Sequence, residues 1–185
     1  MKLKNVTIVV VIMVVVLIGV YLWYFRGENV TLDDVVKDVP EIIQVNSTAF
    51  KSGGYIPQEY SYSGGNKPIP VSWSNYPENT VSFVLVMFDP NAPKGVFVHW
   101  ILFNIPNTTT AVVTGNEGVK GMNDFNNLGY GGPSPPKGET HTYFIRVFAL
   151  DKKLVLNEGA RLGSILRGMK GHVLAYGEII GKYKG

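Results

Sequence analysis

The chain has no cysteine at any of its 185 positions. That excludes disulfide staples, thiolate metal sites and cysteine nucleophiles, whatever the compartment. Charge is scarce too. Asp, Glu, Lys and Arg make up 17% of the residues, and 17 basic against 14 acidic ones give a formal net charge of +3. Three of the bases, Lys2, Lys4 and Arg26, flank an apolar N-terminal run; without them residues 27–185 carry 14 bases and 14 acids and are formally neutral. A neutral domain with no basic run gives no electrostatic footing for nucleic acid. The three histidines, His99, His141 and His172, show neither HxH nor HExxH spacing, and no serine sits in a Gly-x-Ser-x-Gly turn. The usual signatures of a zinc hydrolase and of a hydrolase nucleophile elbow are therefore missing. Internal repeats and low-complexity segments are absent as well.

One long apolar run is present. Val6 to Phe25 holds 20 residues without a charge, enough to cross a hydrocarbon core of ~30 Å as a helix. Tyr21, Trp23 and Tyr24 crowd its C-terminal end, as interfacial aromatics do. A cleaved signal peptide would have a shorter apolar core ending in small residues. The expectation is an uncleaved signal anchor over residues 1–26, with a transmembrane helix at about 6–25. Lys2 and Lys4 before it, against Arg26 and then Glu28, Asp33, Asp34 and Asp38, favour the N-terminus inside. That predicts a single-pass protein of the cell membrane with its domain on the extracytoplasmic side. The sequons at Asn29, Asn46 and Asn107 are compatible with export but short enough to arise by chance.

Residues 27–47 read as a juxtamembrane stalk or a first strand packed onto the domain, and residues 48–185 as the domain. Gly, Pro, Ser, Tyr and Asn dominate from Thr48 to Pro77, which is turn chemistry between short strands. Val81 to Phe88 is almost wholly apolar, β-branched or aromatic, as in a central strand buried on both faces. Phe97 to Ile105, Thr140 to Leu150 and Val173 to Tyr183 read as further strands. Asn157 to Met169 has helical spacing in Leu162, Ile165, Leu166 and Met169, with Asn157 as N-cap. The predicted fold is mainly β, with one or two short helices.

Candidate site residues collect at strand ends. Asp89 lies where strand 81–88 runs into Pro90-Asn91-Ala92-Pro93, and the two prolines stiffen that loop. His141 and Tyr143 are two apart in a strand and share a face, as do Phe97, His99 and Ile101. Gly131 and Gly132 allow close backbone approach, and Pro133, Pro135 and Pro136 restrict motion. Two imidazoles, a phenol and amides beside glycine suit a small anion such as a phosphate monoester. The carboxylate could instead orient a histidine, raise its pKa, or receive an ammonium or hydroxyl. His172 reads as structural and Lys137 as a solvated loop residue.

From about Phe50 to Tyr183 these motifs, in their order, resemble the phosphatidylethanolamine-binding protein (PEBP) family, in its bacterial and archaeal, Raf kinase inhibitor-like branch. The resemblance rests on Gly53-Gly-Tyr-Ile-Pro57, Pro68-Ile-Pro-Val-Ser-Trp73, the Asp89, His99 and Gly131–Tyr143 stretches, Asn104-Ile-Pro106, Gly171-His-Val-Leu-Ala175 and Gly181-Lys-Tyr183. It implies two β-sheets in a Greek-key arrangement with short helices and a small anion-binding cavity at one end. Asp89, His99, Gly132, Pro133, His141 and Tyr143 match the family's pocket motifs. Asn91 stands where the family often has a second acid, Thr142 where it often has Arg, and Phe97 where eukaryotic members have Trp. The sequence also stops just after the closing strand, without the C-terminal helix of the eukaryotic branch.

The expected function is a membrane-anchored PEBP-like domain that binds, without catalysis, a small anionic ligand, a phosphate monoester or phospholipid headgroup. It needs no cofactor or metal, contacts no nucleic acid, and has an unidentified protein partner, if any. The alternatives are a protease or kinase inhibitor acting through surface loops, and a metal-dependent hydrolase using Asp89, His99 and His141.

Overall fold

The computed structural model describes residues 13–16 and 30–185. Its centre is β3 (Ser82–Asp89), in which every residue is buried. The strand alternates between two cores: Phe83, Leu85 and Met87 face one, Val84, Val86 and Phe88 the other. A strand covered on both faces has no use for polar alternation, which is why this stretch reads as a continuous apolar run.

β4 (Phe97–Pro106) and β7 (Thr140–Leu150) flank β3, both antiparallel to it. β6 (Val119–Lys120) and β8 (Val173–Lys184) complete a five-stranded sheet of order β6-β4-β3-β7-β8. A smaller sheet of order β1-β2-β5 is formed by β1 (Gln44–Asn46), β2 (Val71–Ser74) and β5 (Ala111–Val112). Between the sheets lies the first core, with Trp73, Phe83, Trp100 and Tyr143 among its largest members. Each such side chain contributes about 1.5–3 kcal/mol by leaving water.

The second core covers the opposite face of the large sheet. It is closed by α1 (Leu162–Met169), through Ile165, Leu166 and Met169, and by Leu32 and Val35 of the N-terminal segment. That segment, expected as a stalk or a packed first strand, lies on the domain. Its Leu32, Val35 and Ile43 are buried, and Gln44–Asn46 forms β1. The helix begins later than predicted. Gly159 takes φ +82 and its N–H donates to the Lys120 carbonyl, so residues 157–160 make a turn, and Arg161, not Asn157, occupies the N-cap.

The transmembrane helix expected over 6–25 is corrected. No helix among the described residues is long and apolar enough to cross a membrane. Only residues 13–16 of that run are described, as helix. The rest of the run lies outside the described residues. The signal anchor and the single-pass, extracytoplasmic placement lose their support with it.

Candidate functional site

The site forms where β3 ends and β4 and β7 begin. Alternation puts Asp89 on the face of Met87, and His141 on the face of Tyr143 and Ile145, all toward the space between the sheets. His99 reaches that face differently. Met87 is opposite Trp100 while Phe88 is opposite Val98, so His99 is the extra residue of a β-bulge. A bulge re-aims side chains. His99 and Trp100 both turn toward the first core, whereas Ile101 belongs to the second. Ile101 therefore does not share the face of His99, because strict alternation breaks at the bulge.

A cavity of about 300 Å³ opens here. Ala92 and Pro93 line it from the loop after β3, Phe97 and His99 from β4, and Phe125 from the loop after β6. Ser134, Pro135, Pro136 and His141 line it from the segment leading into β7, and Asp89 adds its carboxylate. Gly132, Pro133 and Tyr143 are not among the lining residues; they lie behind it. Gly132 and Pro133 are buried in the backbone framework. The Gly132 N–H donates to Asn66 Oδ1 at 2.8 Å, and the Pro133 carbonyl accepts from the Tyr62 N–H at 3.0 Å. A side chain at 132 would run into the Tyr60 carbonyl oxygen. Tyr143 is wholly buried, with its ring edge-on to His99 at 5.2 Å. Burial pushes its hydroxyl pKa well up, against a smaller lowering by the Ser134 backbone.

The two imidazoles are held in different states. His99 Nδ1 lies 2.8 Å from the Gly131 carbonyl and 3.0 Å from that of Gly132. Carbonyls only accept, so Nδ1 carries the proton, and in the neutral ring Nε2 keeps its lone pair. Burial pulls the His99 pKa below its ordinary value, against the carbonyl hydrogen bonds and the Asp89 charge. His141 sits between two carboxylates: Nδ1–H donates to Asp89 Oδ2 at 2.7 Å and Nε2–H to Glu139 Oε2 at 3.1 Å. Burial opposes its charge, but both hydrogen bonds and both negative charges act the other way and raise its pKa. Asp89 is fixed in turn, Oδ1 accepting from the Asn91 N–H at 2.8 Å. Asn91 Oδ1 then accepts from the Thr142 N–H at 2.9 Å, tying the Pro-stiffened loop to β7.

Three participants escaped the sequence reading. Glu139 had a usable signal, since it stands two residues before His141 and so shares its face. Phe125 and Asn66 had none, because both arrive from loops whose course is set by tertiary packing. His172 is paired with Asp151 at 2.9 Å, away from the cavity. No group of three or more His, Asp or Glu that could hold a metal ion occurs among the described residues.

Residues 46–184 match the family model for phosphatidylethanolamine-binding protein. A UPF0098 protein of Aquifex aeolicus is 43% identical over 152 residues, covering 77% of this chain and 89% of that protein. One from Methanothermobacter thermautotrophicus is 39% identical, covering 77% and 99%. Among solved structures, the PEBP homolog CT736 of Chlamydia trachomatis superposes with a TM-score of 0.73 at 33% identity, covering 78% of this chain and 99% of that one. E. coli YbcL, described as a member of the mammalian PEBP family, gives 0.73 at 31% identity, covering 77% and 98%. With a family match over three quarters of its length and relatives in both bacteria and archaea, the chain belongs to the phosphatidylethanolamine-binding protein family, in its bacterial and archaeal branch.

Proposed function

We propose that this domain binds a small anionic ligand of the phosphate type in the cavity between Asp89, His99 and His141, and holds it without chemical change. The observation that carries this reading is the state of His141. Its ring is nearly buried at the wall of a largely apolar cavity, with Nδ1 on Asp89 and Nε2 on Glu139, surroundings that raise its pKa and favour the imidazolium. A fixed cation beside apolar walls attracts an anion more strongly than the same cation in water. The neutral Nε2 of His99 complements it by accepting a hydrogen bond from a ligand hydroxyl, as a monoprotonated phosphate offers.

Inorganic phosphate and sulfate, titrated calorimetrically, test this. Both should bind to the purified protein, and His141→Ala should weaken each by about tenfold or more. Sulfate keeps its charge across the neutral range, so its affinity reports the protein alone. It should fall as pH rises through the elevated His141 pKa. No binding of either anion, or binding indifferent to both pH and His141→Ala, would reject the reading.

A further inference from the structure

In this structure neither nitrogen of His141 is available to an incoming ligand. Nδ1–H is committed to Asp89, whose side chain is 4% exposed, and Nε2–H to Glu139, whose side chain is 60% exposed. The two contacts differ in kind. Asp89 is fixed from its other oxygen by the Asn91 N–H and cannot leave without stranding a buried carboxylate. The Glu139 carboxylate has no other hydrogen-bond partner among the described residues and stands mostly in water. Its backbone, by contrast, is pinned. The Glu139 N–H donates to the Pro136 carbonyl at 3.0 Å, and its carbonyl accepts from the Gly185 N–H at 3.0 Å. The neighbouring Gly138 N–H donates to the Gly185 carbonyl at 3.1 Å. A fixed backbone therefore presents a free side chain that can swing on and off His141 by rotamer change alone.

Seen from the ligand, the only donor among the described lining residues whose surroundings favour a positive charge, with protons on both nitrogens, is His141, and it is already occupied by an anion of the chain itself. His99 offers no substitute, because its one proton is held by two carbonyls. We propose that Glu139 is an internal competitor: its carboxylate occupies His141 Nε2–H in the empty site and must be displaced when an anion binds. The inference rests on the anion reading above and names how that site is regulated. Glu139 lowers affinity for anions in general and sets a threshold that weak carboxylate ligands, no better than Glu139, do not pass. A phosphate, which joins an anionic oxygen for His141 to a hydroxyl for His99 Nε2, does. The device costs the fold little, since the Glu139 half of the pair stands mostly in water, which screens its charge.

Glu139→Gln and Glu139→Ala, with wild type, test it. Both changes keep the backbone bonds and fall on an exposed side chain, so folding is preserved. Inorganic phosphate is titrated at about pH 6, where His141 is charged. Both variants should bind phosphate about 1.5- to fivefold more tightly than wild type, the range of an exposed pair converted to affinity. Acetate, indifferent to wild type, should become a detectable competitor in Glu139→Ala. Equal phosphate affinity in all three proteins would overturn the competitor role while leaving the anion site standing. Weaker binding in the variants would overturn it too, making Glu139 a supporting group. Failure of all three proteins to bind phosphate would reject both this inference and the reading beneath it.

Discussion

At the scale of single residues, the site separates two histidines that the sequence presents as equals. His99 is buried against carbonyl oxygens that want only its Nδ1 proton, and its pKa falls. His141 has a carboxylate at each nitrogen, and its pKa rises. An imidazole titration followed by NMR should therefore place His99 below and His141 above the ordinary value of about 6.5. The reverse order would contradict the hydrogen bonding described. Gly132 makes a second residue-scale case. A methyl group there would meet the Tyr60 carbonyl oxygen and come within 2.6 Å of the Ser61 carbonyl carbon. Backbone cannot give way as a side-chain tip does, so Gly132→Ala should destabilise the domain by about 1–3 kcal/mol in denaturant unfolding. What was legible here was chemistry carried by one side chain: Asp89, His99 and His141 could be picked out, and all three meet at the cavity. Glu139 was legible in principle by the same period-2 rule that paired His141 with Tyr143.

At the scale of elements, the strands followed from pattern and the exceptions followed from packing. β3 and β7 obey alternation along their whole length, so their two faces could be read directly. β4 departs from it at His99 and again near Asn104, which takes φ +53 and bonds through its side chain to Leu154 on both sides. Nothing in the local sequence announces an extra residue in a ladder; the register of the partner strand decides it. The same limit applies to Arg146. It sits mid-strand in an apolar run, and only the fold shows its partners. Its guanidinium lies over Phe88 at 5.4 Å and Tyr176 at 5.5 Å, donates to Glu178 at 3.0 Å, and reaches the Leu32 carbonyl and Asp33. One side chain thus clasps the segment carrying Leu32 and Val35 to the sheet. Arg146→Ala leaves Glu178 unpartnered and frees the Leu32 carbonyl, at a cost of about 1–3 kcal/mol. Limited proteolysis should then cut first within residues 30–40, ahead of the strands. Unchanged protection of that segment would mean that Leu32 and Val35 hold it unaided.

At the scale of the whole molecule, the two histidines make stability depend on pH from opposite sides. His99 binds its proton less readily in the folded than in the unfolded chain. Its contribution is complete above the unfolded pKa of about 6.5 and is lost as pH falls toward the lower folded value. His141 binds its proton more readily when folded. Its contribution is complete below about 6.5 and is lost as pH rises through the higher folded value. The two windows adjoin without overlapping, so together they produce a stability maximum near pH 6.5, with one histidine responsible for each flank. Chemical denaturation from about pH 5 to pH 9 can separate them, because slope and height carry different information. His141→Asn lowers stability throughout, since Asp89 is left buried without its partner, yet it should flatten only the alkaline flank. His99→Asn should flatten only the acid flank. A wild-type alkaline slope surviving in His141→Asn would show that the imidazolium between Asp89 and Glu139 is not a property of the folded molecule, and the anion site built on it would fall as well.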